Sequence, residues 1–202
     1  VFEQLNPAFE NYREGYRNYY ESCKHDNSPA MRDPNPVIIL LPGVGMFSFA
    51  KNKQTARVAA EFYINAINVM RGAEAISAYT ALPRQEAFDI EYWLLEEAKL
   101  QRMPKEQTLS RKVALVTGAG GGIGKAIAEK LLAEGANVVF TDIAEDRLKE
   151  NTASLSTDLA TYAVCDVTRE ASIGDALNKA VLSFGGVDIV VHSAGLAISK
   201  PL

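Results

Sequence analysis

The stretch Val113-Ala114-Leu115-Val116-Thr117-Gly118-Ala119-Gly120-Gly121-Gly122-Ile123-Gly124 decides the fold. An apolar strand empties directly into a glycine-rich turn, and Lys125-Ala126-Ile127-Ala128-Glu129-Lys130-Leu131-Leu132 follows at once with helical character. Glycine meets three needs in such a place: a tight turn out of the strand, close approach of a pyrophosphate to bare backbone, and close packing of helix on sheet. The N-terminus of the following helix offers unpaired amides to phosphate. The stretch reads as nucleotide-binding.

Working outward, further strands are expected at 137–141, 161–164 and 187–191. Helices open at the glycine turn, at Ala144-Glu145-Asp146-Arg147-Leu148, and at Thr168-Arg169-Glu170-Ala171-Ser172, with Thr168 as N-cap. Gly135 and Gly185-Gly186 suit the residue just past a helix end. Strand and helix signals alternate, and the strands carry apolar residues on both faces. That pattern predicts an α/β unit with a parallel, doubly wound sheet.

The first hundred residues differ. One strand is expected at 36–41, ending in Pro42-Gly43-Val44-Gly45. An amphipathic helix over 53–76 keeps Ala56, Ala59, Ala60, Tyr63, Ile64, Ile67 and Met70 at three-and-four spacing. A second opens at Pro83 and carries Phe88, Tyr92, Leu95 and Ala98. Residues 101–111, polar and broken by Pro104, read as a linker between domains at 1–100 and 112–202.

Asp142 closes the second strand of the later half, eighteen positions beyond Gly124. An acid about 20 residues on is what holds the adenosine ribose hydroxyls of a dinucleotide. A carboxylate there repels a 2′-phosphate, and the next residue, Ile143, is not basic. NAD is expected over NADP. The alternative, a plain loop with Asp142 as a helix-capping acid, explains less of the context.

Composition excludes other classes. With 202 residues, a net charge of −4 and no Lys/Arg cluster, the chain lacks the basic face a nucleic-acid partner needs. The longest apolar run, at 37–41, falls far short of the roughly 20 residues of a membrane span. No secretory signal opens the chain, and Cys23 and Cys165 do not form a disulfide framework, so a cytoplasmic location is expected. The chain starts at Val1 and ends in Gly195-Leu196-Ala197-Ile198-Ser199-Lys200-Pro201-Leu202, mid-loop after a strand, and is read as a fragment.

With these residues in view, 112–202 resembles the short-chain dehydrogenase/reductase family, whose Thr-Gly-x-x-x-Gly-x-Gly motif is matched by Thr117, Gly118, Gly122 and Gly124. The resemblance implies half of a Rossmann sheet in the order 3-2-1-4. It places cofactor at Thr117, Gly118, Gly120, Gly121, Gly122, Ile123 and Gly124, at Asp142 and Ile143, at Cys165, Asp166 and Val167, and at Ser193, Ala194 and Gly195. Asp166 reads equally as an acid capping the helix after it. His192 and Ser193 stand where the family carries two asparagines. The family's catalytic Ser and Tyr-x-x-x-Lys lie beyond the fourth strand, so no catalytic residue is expected in this chain. Tyr20-Glu-Ser-Cys-Lys24 is a coincidence of spelling, and Tyr162 has Asp166 where the lysine is needed.

Residues 1–100 resemble, more loosely, the C-terminal part of the class II aldolase/adducin family through Leu41-Pro-Gly43-Val-Gly45-Met-Phe and Glu91-Tyr-Trp93. The two together resemble the bifunctional rhamnulose-1-phosphate aldolase/short-chain dehydrogenase arrangement of rhamnose metabolism. That implies cleavage of a sugar phosphate and oxidation of the lactaldehyde released. Class II aldolases hold a zinc-type ion through several histidines; His25 and His192 cannot build that site, so no metal is expected. His25 reads as a solvated loop residue, and His192 as a structural histidine closing a buried strand. The expectation is an NAD-dependent oxidoreductase acting on a small hydroxy-aldehyde, of which this chain binds cofactor without turning it over. A non-catalytic nucleotide-binding module and a lyase are the other readings. The fourth strand is expected at an open edge, which predicts a homo-oligomer.

Overall fold

The computed structural model describes residues 2–195, so the expected tail loop lies outside the described residues. The chain divides into two compact units, Val1–Ala50 with Thr55–Lys105, and Lys51–Gln54 with Glu106–Leu202.

In the second unit, β3 (Val113–Thr117), β4 (Asn137–Asp142), β5 (Ala160–Val164) and β6 (Ile189–His192) alternate with α5 (Gly122–Ala133), α6 (Glu145–Ala153) and α7 (Glu170–Phe184). The four strands form one parallel sheet in the order β5-β4-β3-β6, so sequence order along the sheet is 3-2-1-4. Leu115 pairs with Val139 on one side and Val190 on the other.

Strands β3 and β4 are buried nearly end to end because helices cover both faces. Val116, Val138 and Phe140 meet Ala128 of α5 and Leu148 of α6 on one face, while Leu115 and Val139 meet Ala176 and Ala180 of α7 on the other. Gly185 ends α7 at φ 90°, a left-handed position that costs glycine nothing.

Three expectations need correction here. Strand β6 is an edge with alternating exposure, so His192 is exposed and does not close a buried strand. Thr168 does not cap α7: the N-cap is Arg169, without a side-chain cap, and the Thr168 hydroxyl and amide both turn back to Asp166 Oδ1. Strand bounds shift too: β5 starts one residue early, at Ala160, β4 runs on to Asp142, and β6 spans Ile189–His192 where 187–191 was expected.

The first unit holds α1 (Phe2–Cys23), β1 (Ile38–Leu41), β2 (Gly45–Ser48), α2 (Lys53–Ile76), α3 (Arg84–Glu91) and α4 (Leu94–Gln101). Helix α1 is absent from the sequence reading, as is β2, which pairs antiparallel with β1 around a turn in which Gly43 takes φ 77°. The expected helix after Pro83 is two helices, broken at Tyr92-Trp93. The core of this unit is Tyr20, Cys23, Phe88 and Tyr92. Tyr20 is buried with its hydroxyl donating to the Pro29 carbonyl at 2.7 Å, while Lys24 pairs with Glu21 at 2.6 Å, so the Tyr-x-x-x-Lys spelling serves packing. His25 is exposed, as read, and meets Asp89 Oδ1 at 2.8 Å, holding that carboxyl below the usual range.

No helix among the described residues is long and apolar enough to cross a membrane.

Candidate functional site

The carboxyl ends of β3, β4, β5 and β6 bring together the loops that carry the expected site residues. Chain connections leave β3 toward β4 on one side, and β6 lies on the other, so the loops after β3 and β6 flank the switch point where open parallel sheets bind ligands.

The glycines of the turn differ in what surrounds them. Gly118 sits at φ 70°, and a Cβ there would lie 2.8 Å from the Ala194 amide nitrogen, so the turns after β3 and β6 touch backbone to backbone. Gly124 is buried against the Gly118 carbonyl, which any Cβ would strike. At Gly120 a Cβ would fall 2.8 Å from Asp142 Cγ. At Gly121 it would make only an ordinary contact, 3.5 Å from the Gly118 oxygen, and at Gly122 nothing stands within 4 Å. The protein itself does not need Gly122 bare; that space is open.

Helix α5 begins at this opening. Gly121 is its N-cap, no side chain caps it, and its first turn holds no acid. Its leading amides are therefore available to an anion, with the positive end of the helix dipole behind them. Ile123, in the same turn, is largely exposed.

Thr117 organises the rim from below. Its hydroxyl donates to the Val191 carbonyl at 3.3 Å and accepts from the Ser193 and Ala194 amides at 3.1 and 3.2 Å. The turn of Ser193 and Ala194 is thereby held through its own main-chain amides by the Thr117 hydroxyl, which explains how it forms with His192 and Ser193 in its sequence. Gly195 follows, exposed.

Asp142 stands at the end of β4, half-buried. Its Oδ2 accepts from the Gly120 amide at 3.1 Å and its Oδ1 from the Ala144 amide at 3.0 Å, with Ile143 exposed beside it. One loop further, Cys165 is buried, and its amide donates to the Asp142 carbonyl at 2.9 Å. Burial pushes the Cys165 thiol up, against a lowering hydrogen bond from Ser172. The Thr168 hydroxyl, then its amide, hold the Asp166 carboxyl below its usual range, and Val167 is exposed. Asp166 shapes the approach to α7 as a turn acid, with its own amide donating to Ser172 Oγ at 3.0 Å.

Two residues not expected at the site grip the glycine turn. The Thr141 carbonyl accepts from the Ala119 amide at 3.0 Å, and Asn151 of α6, buried, donates from Nδ2 to the Ala119 carbonyl at 3.1 Å. A lone asparagine in a polar helix carries no sequence signal for such a bond. Among the described residues no group of three or more His, Cys, Asp or Glu is placed to hold a metal ion.

Comparison with known proteins divides the chain in two. Residues 1–100 match the family "Aldolase class II, second domain", and residues 112–202 match "short chain dehydrogenase". Uncharacterized oxidoreductase YuxG of Bacillus subtilis (strain 168) is 37% identical over 201 residues, 98% of this chain and 29% of that protein. An uncharacterized oxidoreductase of Staphylococcus epidermidis (strain ATCC 12228 / FDA PCI 1200) is 44% identical over 94 residues, 46% of this chain and 40% of that protein. Among solved structures, a short-chain dehydrogenase/reductase (glucose/ribitol dehydrogenase) from Brucella melitensis shares 35% identity over 48% of this chain and 41% of its own, with a TM-score of 0.46. The chain thus spans well under half the length of these relatives.

Proposed function

We propose, from a chain whose residues 112–202 belong to the short-chain dehydrogenase family and whose residues 1–100 belong to the class II aldolase second-domain family, that the β3–β4 site holds NAD for an oxidoreductase. The observation that carries this is the pairing of an open, uncapped α5 N-terminus at Gly122 with the Asp142 carboxylate beside the same turn. The α5 amides take the pyrophosphate, and Asp142 takes the ribose hydroxyls and repels a 2′-phosphate. The loop of Cys165, Asp166 and Val167 borders adenine, and the turn of Ser193, Ala194 and Gly195 passes beside the cofactor. Once bound, NAD supplies the hydride acceptor; the residues named here bind and orient it.

In the whole protein, the aldolase-family half points to a small hydroxy-aldehyde such as lactaldehyde as the compound oxidised, released by cleavage of a sugar phosphate. A lyase as the main activity is the second reading, favoured by the aldolase-family match over 1–100.

Titration with NAD and NADP tests the cofactor reading. NAD is expected to bind more tightly, and Asp142→Ala to weaken NAD by roughly ten- to a hundredfold while narrowing the preference, as removal of a charged hydrogen-bonding partner does. Unchanged discrimination in Asp142→Ala would remove the ribose role. The open edge of β6, with Val190 half-exposed, also leads us to expect self-association, the response of an unpaired apolar edge. A clean monomer by light scattering contradicts that.

A further inference from the structure

The peptide unit joining Ala119 to Gly120 is held from both ends. Its carbonyl accepts from Asn151 Nδ2 at 3.1 Å, and its amide donates to Asp142 Oδ2 at 3.1 Å. The residue before it is fixed as well, with the Ala119 amide donating to the Thr141 carbonyl at 3.0 Å. Asn151 comes from the second turn of α6, is 7% exposed, and lies on the side of the sheet where Leu148 fills the core. A buried amide donor is costly to leave unpaired, so this bond constrains both partners.

From this geometry we propose that Asn151 is a positioning residue for cofactor selection: through the Ala119–Gly120 peptide it sets where the Asp142 carboxylate sits, without touching the cofactor. A peptide flips as a plane. If Asn151 releases the Ala119 carbonyl, that plane is held only by the bond from the Gly120 amide to Asp142 Oδ2, and rotation lengthens that bond. The Ala144 amide alone would then hold the Asp142 carboxylate, at Oδ1. A weaker hold on the ribose and looser selection between NAD and NADP follow.

The inference rests on the ribose role proposed for Asp142, and the test separates the two. The chain, Asn151→Leu, Asp142→Ala and the double variant are titrated with NAD and NADP, and protection of the Gly120 amide is read by hydrogen exchange. Asn151→Leu keeps the branched outline of the asparagine with a larger volume and removes the donor. Expected are a roughly tenfold loss of NAD affinity, the worth of one hydrogen bond, a narrowed NAD/NADP ratio, and a Gly120 amide that exchanges faster. In the Asp142→Ala background the same substitution should leave the ratio unchanged, because the two residues act through one peptide. Asn151→Ser provides a second, smaller variant should leucine disturb the helix, and the same non-additive pattern is expected of it. A lower melting temperature with the NAD/NADP ratio intact, or additive effects in the double variant, overturns the proposal while leaving Asp142 in place. If Asp142→Ala itself leaves the ratio intact, both readings fall.

Discussion

Gly124→Val is expected to abolish NAD binding within the range of a titration, a loss of more than about a hundredfold, and to lower stability by roughly 2–4 kcal/mol. The magnitude comes from what surrounds the glycine. A Cβ on Gly124 strikes the Gly118 carbonyl, and the Ala119 nitrogen lies 2.9 Å from it. These are backbone atoms at the exit of the central strand. Gly118 has no room to retreat, since it is at φ 70° with Ala194 and Ser193 backbone already at its own Cβ position. The collision therefore displaces the whole turn, together with the peptide that Asn151 and Asp142 share. Gly122→Ala is the control that separates folding from binding. Nothing lies within 4 Å of its Cβ position, so this chain should fold with unchanged or slightly greater stability. Its methyl nevertheless occupies the space assigned to the pyrophosphate, and NAD affinity should fall by about tenfold or more. Wild-type affinity in Gly122→Ala would mean the open space is not the ligand's.

The difference between these two glycines marks the limit of what the sequence discloses. Spelling alone identifies the turn, because an apolar strand, a glycine run and a helix in immediate succession have few other meanings. The parallel sheet is equally legible: β3 and β4 carry consecutive apolar residues, Val113 to Val116 and Val138 to Phe140, because helices cover both faces. What the spelling does not contain is which neighbour each glycine accommodates, since Ala194 and Asp142 reach the turn only through the fold. Asn151 is hidden for the same reason. The edge position of β6 follows from strand order, but its alternating exposure depends on the neighbours it has, and His192 is consequently exposed.

In the first unit the signal is weaker because packing is thinner. Helix α2 was legible from its apolar spacing, yet it contains no buried residue. Helix α1 carries Pro7 and a largely polar sequence, so its stripe of Phe9, Tyr16, Tyr20 and Cys23 is visible only once Phe88 and Tyr92 are set against it. The break at Tyr92-Trp93 has no glycine or proline to announce it.

That thin packing sets the second large expectation: Phe88→Ala should unfold the first unit while the second keeps the NAD binding proposed for it. Phe88 is 1% exposed, stacks on Tyr92 at a centroid distance of 4.5 Å, and meets Tyr19 and Tyr20 at 5.7 and 5.8 Å. Removing a buried phenyl costs about 3–5 kcal/mol, and a whole domain is stable by only about 5–15 kcal/mol. Among the described residues the buried core here is four side chains, so little remains to hold α1 against α3. The polar links around it depend on the same packing. Tyr16 donates to Glu91 Oε1 at 2.5 Å and shares a 2.7 Å bond with the Tyr92 hydroxyl, and burial followed by the Glu91 bond holds its phenol well above the usual range. Tyr19, against the same carboxylate, is pushed up to about 12, first by burial and then by the charge of Glu91. Loss of the ring opens this cluster to water. Far-ultraviolet circular dichroism should show a fraction of the helix gone at room temperature, and an NAD titration of the same sample should still saturate, because Phe140, Leu148 and Val116 form a separate core beneath the glycine turn. A single transition that takes NAD binding with it would show that the two cores stand or fall as one.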